Sequence, residues 1–250
     1  MIDIKTSDPS SKAKEIFFKH GAVCFKGGVP IDAINFVRKD MEHLYRISDK
    51  EFKDTLSTIN KLNKDDQKEL YRVYRNTEKM AGLSMMCNFL IPHLEKIYPN
   101  KRFMYLTGTV LLSLPGDKRL TYDWHQEANF VPVKSDNVLT AWFPLFSSTN
   151  KAGPMEILLG SQDEGTTPYN KIKRQNGYTE LVPENIDECI KKYTKHVCNY
   201  EPGDVVFFDK NMMHSSSYNE SGIANPRGSM QFVVLDNELL DKFEYAETDY

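Results

Sequence analysis

From Arg102 onward the chain is built of short apolar runs closed by turn signals, a texture that restricts its fold more than anything else in it. Thr109 to Leu114 stops at Pro115-Gly116-Asp117, Met155 to Leu159 stops at Gly160, and Val205 to Phe208 follows Pro202-Gly203-Asp204. Val138 to Phe146 and Gly228 to Leu235 are runs of the same kind. Several short strands at such spacing predict an antiparallel sandwich or barrel. Two stretches break the pattern. Val131 to Asn137 reads as a loop, and Gln162 to Thr194 as a long, polar, partly helical insertion with a functional role.

The first hundred residues read as helical. Ser7-Asp8-Pro9 supplies a cap and a first-turn proline, with Gly21 as the stop. A second helix is expected from about Asp32 into the forties, where Ile34, Val37, Met41, Leu44 and Tyr45 keep helical spacing. Lys64 to Met80 reads as one surface helix with a thin apolar stripe, and Met85 to Ile97 as another, weakened by Pro92. The expected layout is one domain over 1–250: helical support over 1–100, a β core over 103–236 and the insertion at about 162–194.

Bulk properties narrow the function by exclusion. The 250 residues carry 32 Lys and Arg against 35 Asp and Glu, a formal charge of −3 that suggests neither nucleic acid nor an anionic membrane as partner. No run of 18 apolar residues occurs, and Met-Ile-Asp-Ile-Lys lacks an apolar signal region. Cys24, Cys87, Cys189 and Cys198 have no CxxC spacing and read as buried or free thiols. A soluble, cytoplasmic protein acting on a small molecule is expected; its oligomeric state is not readable.

The chemistry concentrates in two segments. His125 and Glu127 stand at i and i+2 in Tyr122-Asp-Trp-His-Gln-Glu127; on a strand, both side chains leave one face and can close on one metal ion. His214, in Met213-His-Ser-Ser-Ser217, would be the third ligand. Two histidines and one carboxylate with the other positions open is the arrangement of non-haem Fe(II) oxygenases. Arg227, thirteen residues past His214, adds a cationic fork suited to the far carboxylate of a dicarboxylic acid such as 2-oxoglutarate. His20, His43, His93 and His196 lie outside these segments and read as surface or satisfied core residues. The cluster Lys171, Lys173, Arg174 reads as a solvated face that could greet an anionic substrate.

This ordered set, with its local sequence, resembles the phytanoyl-CoA dioxygenase family of Fe(II)- and 2-oxoglutarate-dependent oxygenases. The carrying pieces are Asp123-Trp-His-Gln-Glu-Ala-Asn-Phe-Val-Pro132, Leu139-Thr-Ala-Trp-Phe-Pro-Leu145, Ala152-Gly-Pro-Met-Glu-Ile-Leu-Leu-Gly-Ser-Gln162, Glu201-Pro-Gly-Asp-Val-Val-Phe-Phe208 and His214-Ser-Ser-Ser217. The resemblance spans about Thr107 to Leu235, and the N-terminal helices share only its general character. It implies a mainly β fold with a helical N-terminal part around a double-stranded β-helix core of jelly-roll, cupin-like type.

Carried over residue by residue, the resemblance makes His125, Glu127 and His214 the ligands of Fe(II). It makes Arg227 the grip on the C5 carboxylate of 2-oxoglutarate, with Ser216 as a helping hydroxyl. Trp142 becomes a wall beside the cosubstrate, and Ser113, with Thr109 behind it, lines the same pocket. The implied reaction uses O₂ and 2-oxoglutarate to hydroxylate a small organic substrate, with succinate and CO₂ released. Two departures stand out. The family usually has an aspartate where Glu127 stands, and Gly160-Ser161-Gln162 replaces a common Gly-Ser-His. A branch that halogenates keeps a small residue at the acid position, so Glu127 argues against halogenation. The alternative from another class is a non-catalytic or cupin-like metal-binding β-sandwich, acting as an isomerase or hydrolase, and 2-oxoglutarate-dependent O₂ uptake separates it. Selectivity is expected from the helical part and from 162–194, where the resemblance is poorest.

Overall fold

The structure is a computed structural model that describes residues 1–116, 122–131, 137–149, 151–173 and 179–235. The elements follow in order as β1 (Asp3–Lys5), α1 (Ser10–His20), β2 (Ala22–Lys26), α2 (Ile31–Ser48), α3 (Thr55–Asp65), α4 (Gln67–Asn76), α5 (Ala81–Ile97) and β3 (Arg102–Ser113). Then come β4 (Val138–Pro144), β5 (Met155–Leu159), β6 (Tyr169–Lys173), β7 (Thr179–Pro183), α6 (Ile186–Lys192), β8 (Thr194–Val197), β9 (Val205–Asp209), β10 (His214–Ser216) and β11 (Asn225–Leu235). Among the described residues these strands make a six-stranded sheet in the order β1-β2-β9-β4-β11-β3, a three-stranded sheet β10-β5-β8, and the β6-β7 hairpin. The large and small sheets face one another as a double-stranded β-helix.

Alternation along the strands decides what each face meets. In the register of the large sheet, Arg227, Ser229 and Gln231 of β11 stand opposite Leu111, Thr109 and Thr107 of β3. Ser229 and Gln231 also pair with Trp142 and Thr140 of β4, which in turn pair with Val206 and Phe208 of β9. This face looks at the small sheet, and Trp142, Val206 and Phe208 pack with Met155 and Ile157 into the inter-sheet core. The opposite face carries Phe25, Ala141, Phe143, Phe207 and Met230, buried with Val37, Met41, Leu83, Leu90 and Leu94 of the helices. Helical and sheet residues thus form one continuous apolar layer, and removing it from water is the main force holding the helical part in place.

The N-terminal hundred differ from a purely helical reading. Asp3–Lys5 and Ala22–Lys26 are strands at the edge of the large sheet, parallel to each other and, through β2, antiparallel to β9. Ala22, Val23, Cys24 and Phe25 are all buried, because β2 has the large sheet's interior on one face and helices on the other. The expected single helix over 64–80 is broken at Asp66, whose carboxylate accepts the backbone N–H of Glu69 and caps α4. α3, bounded by an equivalent cap at Asp54, was not expected. α5 begins four residues earlier than expected and runs through Pro92, which leaves the Asn88 carbonyl without its usual helical donor.

The 162–194 stretch holds the β6-β7 hairpin and α6 before β8. β6 is exposed at every position, so Lys171 and Lys173 do stand on a solvated face; Arg174 lies outside the described residues. Of the loop expected over 131–137, residues 132–136 also lie outside them. No helix among the described residues is long and apolar enough to cross a membrane.

Candidate metal centre

The segment bearing His125 and Glu127 is not a strand. It meets β10 at a single bridge, His125 to His214, closed by reciprocal backbone bonds of 2.9 and 3.1 Å. Ser216 N–H donates to the Tyr122 carbonyl at 2.9 Å, so residues 122–125 lie along β10 as a short added edge. Glu127 then opens a 3-10 turn, Glu127–Asn129, held by Ala128 N–H on the Lys210 carbonyl. Gln126 between them is extended, with φ −120° and ψ 137°. That one residue is enough to send His125 and Glu127 to the same side.

The ligating atoms of His125, Glu127 and His214 all lie within 4.8 Å of one another. Glu127 Oε1 is 3.2 Å from His214 Nε2 and 3.9 Å from His125 Nε2. First-row ions take such ligands at roughly 2.1 Å, which puts neighbouring donors about 3 Å apart around one ion. Nδ1 of His125 meets the Asp123 carbonyl at 2.7 Å, and Nδ1 of His214 meets the Met212 carbonyl at 3.0 Å. A carbonyl can only accept, so each ring proton stays on Nδ1 and each Nε2 lone pair faces the centre.

Electrostatics keep His125 and Glu127 in the forms a cation needs. Burial, then His214, pushes His125 down to about 4, which leaves its imidazole neutral at physiological pH. Burial would raise the Glu127 carboxyl, but the adjoining His214 and His125 rings and the N–H of Gln231 outweigh it and hold Glu127 below its usual range. Gln231 Nε2 donates to Glu127 Oε2 at 2.7 Å, leaving Oε1 turned toward the imidazoles.

A cavity of ≈ 210 Å³ opens beside these groups. Ser216, Trp142, Thr109 and Ser229 are in its wall, together with Phe208, Met155 and Leu111. Ser113 is one pleat further along β3, buried, with its hydroxyl oxygen beside the Gly153 turn rather than in the wall. Arg227 is 2% exposed and, like Ser113, is not in the cavity wall. Its Nη2 donates to the carbonyls of Ala152, at 3.2 Å, and Gly153, while its Nε finds no acceptor among the described residues. Burial pulls the guanidinium down to about 10, so it remains charged at neutral pH, with its Nε–H unused among the described residues. Such a donor leaves room for one more acceptor.

Gly153 is the turn that receives Arg227, and it has no room for a side chain. Its φ is +67°, and a Cβ would stand 2.5 Å from Ser113 Oγ and 2.6 Å from the Ser217 carbonyl oxygen. Gly153→Ala is therefore expected to destabilise the metal-free protein by about 2 kcal/mol or more, from the left-handed backbone and the collision together. Thermal or urea unfolding reads this directly, and a parent-like midpoint would refute it.

Several residues of the site escaped sequence reasoning. Gln231 and Ser229 follow Arg227 at alternate positions of β11, a period-2 signal that was available. Tyr74 was not findable that way, because α4 brings it to the cavity from far off in sequence. Thr77, just past α4, ties this helix to β3 through Thr109 Oγ1 at 3.2 Å and Val110 N–H at 3.3 Å. Tyr122 and Phe130 flank His125, their ring centroids 5.7 and 5.9 Å from the imidazole. Among the described residues, none of 162–194 lines the cavity.

Two facing jelly-roll sheets around a two-histidine, one-carboxylate donor set define the non-haem iron oxygenase class. A model of the family described as phytanoyl-CoA dioxygenase (PhyH) matches residues 17–228, and the chain belongs to that family. Its members use Fe(II), 2-oxoglutarate and O₂. No curated protein matches the sequence. Solved structures do match in fold. The non-haem alpha-ketoglutarate-dependent carbocyclase SnoK of nogalamycin biosynthesis aligns with a TM-score of 0.62 at 13% identity, over 95% of this chain and 94% of that one. The epimerase SnoN, in complex with Fe3+, alpha-ketoglutarate and nogalamycin RO, aligns with a TM-score of 0.59 at 13% identity, over 90% and 83%. The non-haem monooxygenase ThoJ aligns at 0.60 and 12% identity, over 88% and 76%.

Proposed function

We propose that this enzyme of the Fe(II)/2-oxoglutarate-dependent superfamily hydroxylates a small organic substrate, with succinate and CO₂ as coproducts. The observation that carries the reading is the pairing of the convergent His125, Glu127 and His214 donors with a buried Arg227 that keeps an unused Nε–H. A metal-binding sandwich acting as isomerase or hydrolase needs the first half of that pair and has no use for the second.

Bound iron with 2-oxoglutarate and O₂ supplies the oxidising chemistry. His125 and His214 offer Nε2 lone pairs because their Nδ1 protons are engaged by carbonyls. Glu127 supplies the one negative charge among these donors, and Gln231 fixes which oxygen faces the ion. Arg227 supplies charge and direction for the far carboxylate of 2-oxoglutarate, and Ser216, on the small sheet opposite, offers it a hydroxyl. Trp142, Phe208, Met155 and Leu111 make much of the cavity wall apolar. Tyr74, Tyr122 and Phe130 present aromatic surface to the substrate, which assigns part of the selectivity to α4.

The test is anaerobic loading with Fe(II) and 2-oxoglutarate, followed by O₂ and a panel of small organic substrates. The expected result is succinate formed in step with a product that gains one oxygen atom. A product formed in step with succinate but without added oxygen would make the reaction an epimerisation or ring closure on the same centre. Conversion that ignores 2-oxoglutarate would instead favour the isomerase or hydrolase reading.

A further inference from the structure

We propose that Gln126, the residue between the two first ligands, is a positioning residue that sets how His125, Glu127 and His214 converge. The inference rests on reading those three as a metal site. Gln126 is 0% exposed and is not in the cavity wall. On an extended backbone its side chain leaves opposite to His125 and Glu127 and enters the protein.

There it meets two other segments. Nε2 donates to the Gly165 carbonyl at 2.8 Å and to the Asn211 carbonyl at 2.7 Å. Oε1 accepts from Thr167 N–H and Thr167 Oγ1, both at 3.0 Å. A primary amide has two donors and two lone pairs, and all four are used. Asn211 is in the turn between β9 and β10, three residues before His214; Gly165 and Thr167 are in the stretch leading to β6. Thr166 Oγ1 closes the frame by donating to Asn211 Oδ1 at 2.8 Å. One side chain thus ties the His-x-Glu segment, the approach to His214 and the root of the 162–194 stretch into a single hydrogen-bonded body. Only an amide of this length satisfies every group in it. A carboxylate would set an acceptor against two carbonyls, and an apolar side chain would leave two carbonyls and an N–H buried without partners.

The test uses Co(II) as probe on the full chain, because its visible absorption reports coordination geometry as well as occupancy. Gln126→Met keeps volume and removes all four bonds; Gln126→Glu keeps the acceptor and loses both donors; Thr167→Val removes one hydroxyl bond. Groups that orient metal ligands from outside typically change affinity by 10–100-fold. Gln126→Met is expected to lie in that range, about 10–100-fold weaker, with an altered Co(II) spectrum, and Thr167→Val to show a smaller loss of the same kind. A folded Gln126→Met chain with parent-like Co(II) affinity and spectrum overturns the proposal. If Gln126→Met does not fold, parent-like binding and spectrum in both Gln126→Glu and Thr167→Val overturn it instead. A parent that takes up no Co(II) at one per chain would bring down the metal site itself, an outcome distinct from equal binding by parent and variants.

Discussion

Glu127→Ala is expected to abolish turnover and to weaken Fe(II) or Co(II) binding by more than about 100-fold, since even indirect supports of a metal site are worth 10–100-fold. The substitution removes the only anionic donor and leaves two neutral imidazoles to hold a divalent cation. It also strands the Gln231 amide, which now donates to Glu127 Oε2 at 2.7 Å. Glu127→Asp should keep part of the activity: it preserves charge and ligand type and loses one methylene of reach, and His214 Nε2 is already 3.2 Å from the glutamate oxygen. His214→Ala should match the alanine variant, because it removes a donor of the same set. Metal titration under anaerobic conditions and 2-oxoglutarate consumption are the measurements. Equal metal affinity in Glu127→Ala and parent would mean that Glu127 is no ligand.

Arg227→Ala is expected to weaken 2-oxoglutarate binding by about 2–5 kcal/mol, roughly 30-fold to several-thousand-fold, while the metal still loads. The size follows from burial. Arg227 is 2% exposed, so bulk water screens its charge little. Arg227→Lys should recover only part of the loss, since an ammonium keeps the charge without the planar fork. Affinity can be read from the metal-to-ligand charge-transfer absorption of the Fe(II) complex without O₂. If both variants bind 2-oxoglutarate as the parent does, the arginine assignment is wrong, and the pairing that supports the oxygenase reading dissolves.

Legibility in the sequence followed the range of the interactions. The second half of β3, with β4, β5, β9 and β11, was readable because each is a short apolar run, most of them bounded by turn residues, which are local signals. His125, Glu127, His214 and Arg227 were readable because their order and residue types are unusual even without coordinates. β1 and β2 were not, being three and five residues long and wedged between helix signals, with β2 buried on both faces so that nothing alternates. The break at Asp66 needed attention to a capping aspartate inside a polar stretch. The geometry of His125 and Glu127 was anticipated for a different reason from the one that holds. A strand would have aligned them, whereas the fold uses one bridge, one extended glutamine and a 3-10 turn. Tyr74 shows the limit most clearly, since its place depends on how α4 docks on β3.

The pairing of β2 with β9 has a consequence for how the chain is made. Val23 meets Phe207 and Cys24 meets Val206, while Arg102 to Ser113 waits for Asn225 to Leu235. During synthesis, β2 must remain without its β9 partner until some 180 further residues have emerged. Contacts of such long sequence separation fold slowly and leave apolar strands exposed meanwhile. The helices that follow β2 are made before β9, and in the folded protein they cover the face of β2 that carries Val23 and Phe25, so that face has a local partner long before the sheet can close.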